Sequence, residues 1–282
     1  MVKRVLVNLI LAAASLFVWL PLLLIAGNAL MSEGEMLERY GALFGMGNSP
    51  VKAAILPGVS HPCALLWNCF WTPPGFYVMF WNSRLQTGAV LGGQLLAALA
   101  RSLGVCTVWI QGEGRLCFFL YIILMMQPFQ VTMVPGYLVL KQMHLLNTHL
   151  AVVFPGMFSA FPVFVMAKFF ESIPGPLVEA ARLDGAGEFS IFARVGIPVG
   201  KPGIVSVMVL GFLENWNAIE QPMTYLKEKR LWPLSLYLPE ITSDKAGVAW
   251  AASIIMMMLP VILFVMGAES LEQGIAASGI KE

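Results

Sequence analysis

The segment VLVNLILAAASLFVWLPLLLIAGNALMS, Val5–Ser32, runs for 28 residues without one Asp, Glu, Lys or Arg. A helix rises about 1.5 Å per residue and a bilayer core is about 30 Å thick, so roughly 20 apolar residues cross it. This segment has length to spare. Three more uncharged stretches follow at Leu116–Leu140, Gln142–Ala167 and Ala246–Ala268. Two further apolar stretches carry isolated charges: 85–109 holds Arg101, and 203–225 holds Glu214 and Glu220. Hydrocarbon cannot satisfy an open sheet edge, so all six are expected as helices. The fold class is therefore all-α, a polytopic membrane helix bundle of six transmembrane helices. The spans are expected near 5–31, 85–109, 116–140, 149–168, 203–225 and 246–269, in one domain covering 1–282.

Composition points the same way. Of 282 residues, 58% are apolar and 12% charged, where a soluble domain carries about 25% charged. The mean hydropathy is +0.77. A formal charge of +1 leaves neither a basic face for nucleic acid nor an acidic tail.

One uncharged stretch is not expected to span. Residues 53–83 contain Pro57-Gly58, His61-Pro62 and Pro73-Pro74-Gly75, which would leave backbone groups unsatisfied in lipid. Trp67, Trp71, Tyr77 and Trp81 suit the headgroup level. Residues 32–84 are therefore expected as an external loop leaning on the membrane; the rival is a seventh span. Lys3 and Arg4 before an apolar run suggest a signal peptide, but the run is too long for one and is expected to be a retained span. Lys and Arg do not orient the chain. With the N-terminus inside, eight fall on each side and Arg101 lies within a span.

Reactive groups are sparse. Cys106 and Cys117 fall in or beside spans as packing residues, while Cys63 and Cys69 share the loop and are close enough in sequence to pair. No Cys/His ligand spacing is present, so no metal is expected. Gly196-Ile-Pro-Val-Gly200-Lys201 is one residue too short for a phosphate loop and has Pro202 in place of Ser or Thr. Gly185-Ala186-Gly187 lacks the third glycine of a dinucleotide site. His61, His144 and His149 have no triad partners at a plausible distance. No catalytic residue and no cofactor held by this chain are expected, so energy must come from a partner or an ion gradient.

The longest inner segment, Lys168–Gly203, reads as two short amphipathic helices. Pro176 suits a first helical position, Glu179 a first turn, and Gly185 a left-handed stop. Leu177, Ala180, Ala181 and Asp184 follow helical spacing, and the alanines keep one face shallow. Taken alone, this fits any interfacial helix on an inner leaflet.

Its spacing is more specific. Glu179-Ala180-Ala181, three residues, Gly185, nine residues and Val195-x-Ile197-Pro198 resemble the EAA loop of ABC importer permeases. The chain resembles the carbohydrate permeases of the maltose type, and among them the smaller subunit. Gln127-Pro128-Phe129-Gln130 through Pro135-x-Tyr137, Leu146-Asn147-Thr148, Trp216-Asn217 and Glu220-Gln221-Pro222 carry the likeness, with Phe80-Trp81-Asn82-Ser83 before and Gly279-Ile280-Lys281 after. It runs from about Phe80 to Lys281; no motif covers 31–79.

The resemblance implies a permease subunit of a binding-protein-dependent importer for a carbohydrate, forming half of the translocation pathway. Its implied partners are a second homologous permease, an ABC ATPase dimer that holds ATP and Mg, and an extracellular solute-binding protein. The loop at 170–202 would be the cytoplasmic coupling helix. Glu179, Ala180, Ala181, Asp184, Gly185 and Pro198 would dock on the ATPase, with both termini cytoplasmic in a bacterial cell membrane. Gln127, Gln130, Glu214, Asn215, Trp216, Asn217 and Glu220 are the expected pathway residues, since amides and carboxylates hydrogen-bond hydroxyls and an indole can cover a sugar ring. The family's usual ending of the second span is not recognisable; Cys106-Thr107-Val108-Trp109 stands there. Arg101 either snorkels to the inner surface or lines the path, and at similar depth it is expected to compensate Glu214. The alternatives are a non-sugar solute such as a phosphorylated polyol, and a gradient-driven transporter, which would need an inverted repeat that is not visible here.

Overall fold

The structure is a computed structural model describing residues 2–31, 75–108, 119–120, 123, 126–171, 173–237 and 246–279. Every regular element among the described residues is helical. The helices are α1 (Val2–Ala29), α2 (Gly75–Val108), α3 (Phe129–Gln142), α4 (His149–Met157), α5 (Ala160–Glu171) and α6 (Gly175–Leu183). They continue as α7 (Glu188–Ile191), α8 (Ile197–Val199), α9 (Lys201–Trp216), α10 (Glu220–Tyr225), α11 (Leu234–Tyr237) and α12 (Ala246–Gly279). A π-helical turn, Phe192–Gly196, joins α7 to α8. Cys63, Cys69, Cys117 and most of the loop expected at 32–84 lie outside the described residues, as do the side chains of Arg101 and Cys106.

Among the described residues, three helical stretches are long and apolar enough to cross a bilayer: Arg4–Ala29, His149–Ala167 and Ala249–Gln273. Glu188–Val199 and Lys201–Trp216, bent by 68°, make a fourth if taken as one span. Several expected boundaries differ, among them 149–168, which breaks between Met157 and Ala160, and 246–269, whose helix runs on to Gly279. Helix α2 begins at Gly75, ten residues inside the expected loop, because prolines that cannot sit within a helix are well placed at its entry. The stretch 116–140 is not one helix: Gln127 lies outside any helix, Pro128 is extended, and α3 starts at Phe129. Pro128 has no N–H to give and biases Gln127 away from helix. The stretch 203–225 is likewise broken after Trp216. There Asn215 and Asn217 turn their amides back onto the carbonyls of Gly211 and Leu213, at 2.8 and 2.9 Å.

The chain divides into two units, 1–78 with 237–259 and 79–236 with 260–282. The first contains α1, whose Leu9, Leu16, Phe17 and Trp19 are all exposed, as lipid-facing side chains are. Phe76 meets Tyr237 edge-on at 6.2 Å within the same unit.

The second unit is held by a polar stripe on α2. Positions 82, 86, 90 and 94 lie four apart and share one helical face. Asn82 donates to the carbonyls of Arg230 and Trp232, at 2.6 and 3.1 Å. Gln86 donates to the Leu231 carbonyl at 2.9 Å, and the Ser83 hydroxyl accepts from the Leu234 N–H at 2.7 Å. These α2 side chains thus satisfy the Arg230, Leu231 and Trp232 carbonyls in the connection between α10 and α11, which carries a 3-10 turn at Lys229–Leu231. Lower down, Val90 packs on Gly156, where an added Cβ would lie 2.9 Å from the valine methyl. Elsewhere Val163, Met166 and Phe170 of α5 form a core with Phe192 and Val207. Ser206 lies 3.1 Å from the Ser270 carbonyl, tying α9 to α12.

Candidate functional site

A cavity of about 460 Å³ opens within the second unit, between α2, α3, α9, α10 and the junction of α4 with α5. Three breaks in the helices build it. Gln127 stands just before α3, Ser159 sits between α4 and α5, and Glu214 and Asn215 occupy the last turn of α9. Gln94, Thr132 and Gln221 complete the polar wall, with Phe129, Phe158 and Tyr225 as aromatic surfaces. Gly136 makes room for the phenol, since a Cβ there would fall 2.8 Å from the Tyr225 hydroxyl.

The hydrogen bonds fix which way the amides point. Gln94 Nε2 donates to the Gly156 carbonyl at 3.0 Å. A carbonyl only accepts, so the Gln94 oxygen is turned away, buried and without a partner. Asn215 is oriented in the same manner by the Gly211 carbonyl. Glu214 is substantially exposed, and no described residue pairs with its carboxylate.

Three expected pathway residues, Gln127, Glu214 and Asn215, are brought together here. The others stand elsewhere. Gln130 donates to Glu220 at 2.8 Å across α3 and α10, and Asn217 is held on its own helix. Trp216 is 2% exposed, stacked on Phe212 at 5.2 Å and met edge-on by Phe80 at 6.1 Å. Its indole packs within the protein instead of facing the cavity. Sequence reading missed Gln94, Thr132 and Gln221. The four-residue spacing from Asn82 through Gln94 was the available signal for the first.

The second site is the 170–202 loop. Helix α6 starts at Gly175, so Glu179 lies in the second turn and not the first as expected; the dipole acts mainly on the first turn. The stop is as expected: Gly185 has φ 78°, and the Ala186 N–H reaches the Ala181 carbonyl at 3.1 Å. Arg182 pairs with Glu188 at 2.9 Å, closing α6 against α7. Glu179 and Ala180 are exposed, and no residue of α6 is buried. Leu183 is 89% and Phe189 73% exposed, an unusual display for large apolar side chains. Behind them the loop is fixed, because Phe192 packs on Phe170 at 5.5 Å. Pro198, in α8, precedes the 68° bend into α9. Among the described residues, no cluster of His, Cys, Asp and Glu has the makings of a metal site.

Residues 114–275 match the family model described as binding-protein-dependent transport system inner membrane component. The chain is 28% identical over 173 residues to the arabinooligosaccharides transport system permease protein AraQ of Halalkalibacterium halodurans, covering 60% of this chain and 62% of that protein. It is also 28% identical over 192 residues to the sn-glycerol-3-phosphate transport system permease protein UgpE of Brucella abortus, covering 66% and 67%. The matched region thus spans less than two thirds of the AraQ relative's length. In fold, a crystal structure of a bacterial ABC transporter that imports the acidic polysaccharide alginate superposes with a TM-score of 0.76 over 95% of both chains, at 20% identity.

Proposed function

We propose that this chain, which belongs to the family of binding-protein-dependent transport system inner membrane components, is a transmembrane permease subunit of an ATP-driven carbohydrate importer. The observation that carries the reading is the family match over 114–275, which takes in the exposed α6 and the whole cavity lining except Gln94. The 28% identity to an arabinooligosaccharide permease favours a sugar as cargo. An sn-glycerol-3-phosphate permease at the same identity keeps a phosphorylated polyol as the second reading.

In this reading the chain crosses the membrane six times, with both termini and the 170–202 loop in the cytoplasm. A second permease supplies the other half of the pathway. An ABC ATPase dimer receives α6, and an external binding protein delivers the sugar. Glu179 and Ala180 offer an exposed carboxylate beside a small residue, which permits close approach and a charge-assisted contact. Asp184, Gly185 and Pro198 shape the ends of that segment. Closure of the ATPases would be passed through the Phe170–Phe192 contact to α5 and α9, rocking the helices around the cavity.

The test is reconstitution of the chain with the neighbouring permease, ATPase and binding protein in proteoliposomes. ATP-dependent accumulation of a labelled sugar, absent when the ATPase is inactivated, is the expected result. Uptake driven by an ion gradient without ATP would refute it.

A further inference from the structure

We propose that the cavity selects carbohydrates that carry no anionic group, with the Glu214 carboxylate accepting hydrogen bonds from their hydroxyls. This rests on the importer reading above and narrows its cargo.

The argument is the sign of the wall. Among the residues that line the cavity, Glu214 is charged and none is Lys, Arg or His. No described residue neutralises it. Gln94 and Asn215 each hold one N–H on a backbone carbonyl, of Gly156 and Gly211, and the Gln94 oxygen is buried and unpaired. The Thr132 hydroxyl donates to the Phe129 carbonyl at 3.1 Å and so presents lone pairs too. The Glu214 carboxylate and the Thr132 hydroxyl, on two helices, therefore meet a ligand as acceptors. A neutral sugar brings many O–H donors and gains charge-assisted bonds at Glu214. A uronate or phosphate ester brings oxyanions, which the Glu214 carboxylate repels more strongly there than it would across open water, because a partly enclosed site screens less.

The experiment measures binding of arabinotriose and of trigalacturonate to the purified full complex in nanodiscs, by calorimetry at low and high salt. The wild type is expected to bind arabinotriose at least about tenfold more tightly at low salt. Salt should narrow that gap, and so should Glu214→Gln, while Glu214→Asp should keep it. Assembly of each variant is checked by size exclusion. Equal or tighter binding of trigalacturonate by the wild type would overturn the proposal. A gap that ignores both salt and Glu214→Gln would overturn it as well, and so would failure of both sugars to bind. The importer reading is judged separately, by whether the binding protein stimulates ATP hydrolysis in the same nanodiscs.

Discussion

Asn147 and Glu228, 81 residues apart, are joined through both ends of the asparagine side-chain amide. Its Nδ2 donates to the Glu228 carboxylate at 2.9 Å, and its Oδ1 accepts from the N–H groups of Lys227 and Glu228 at 3.0 and 2.9 Å. Its own N–H reaches the Tyr225 carbonyl at 3.0 Å. The backbone pays for this with φ 60°, a left-handed value that asparagine tolerates better than most residues. The clamp fixes the connection before α4 to the one after α10. Asn147→Asp keeps the acceptor but sets a second carboxylate against Glu228, and should destabilise the complex by about 1–2 kcal/mol. Glu228→Gln in the same chain should restore most of that loss. Thermal melting of the solubilised complex checks it, and identical melting of single and double variants would remove the clamp from the account.

The coupling face gives a second expectation. Leu183 and Phe189 flank the Arg182–Glu188 pair and are almost bare, so a partner that covers them gains on the order of 2 kcal/mol for each buried side chain. Leu183→Ser and Phe189→Ser should leave the permease folded, because neither residue packs inside the chain, yet release the ATPase on dilution. Glu179→Ala and Ala181→Trp should act alike by removing the carboxylate and by filling the shallow face. Co-purification with the ATPase and substrate-stimulated hydrolysis are the readouts. Unchanged hydrolysis in Glu179→Ala and Ala181→Trp would place docking elsewhere.

Sidedness follows from the same assignment. Single cysteines at positions 188 and 281, with native cysteines replaced, should resist an impermeant maleimide from outside intact cells. One at position 228 should react. Labelling of position 188 from outside would invert the topology. Opposite sidedness of positions 45 and 78 would instead restore a seventh span.

The helical fold class and the left-handed stop at Gly185 were legible in the sequence because each depends on local rules: runs without charge, and a residue without Cβ. Where chain breaks fall depended on single residues that hydropathy averages away. Pro128 cuts an uncharged run, and Asn215 and Asn217 end α9 by returning their amides to it. The cavity was half legible. Gln127, Glu214 and Asn215 stood out as polar groups in apolar stretches, but Trp216 was misjudged because an indole suits a sugar face and a packed core equally well. Only the positions of Phe212 and Phe80 decide between them. Pairing of Arg101 with Glu214 depends on a side chain outside the described residues.

Gln94 supplies the last expectation, because one side chain there both makes a bond and lacks one. Its donor goes to the Gly156 carbonyl, which also accepts the Ser159 N–H at 3.2 Å. Gln94→Leu therefore deletes a bond worth about 1 kcal/mol without orphaning that carbonyl, and removes a buried unpaired oxygen whose burial costs about 1–3 kcal/mol. The two effects nearly cancel, so melting of the complex should move little. Gln94→Glu has nearly the same shape and the opposite outcome. An ionised carboxylate would face the Gly156 carbonyl with no donor, with an oxygen placed where the buried Gln94 oxygen now has no partner. That variant should be destabilised by several kcal/mol and assemble poorly at neutral pH. Equal stability of the Leu and Glu variants would mean that the position 94 carboxyl is hydrated or protonated at the cavity wall, and that burial of the Gln94 oxygen carries no penalty.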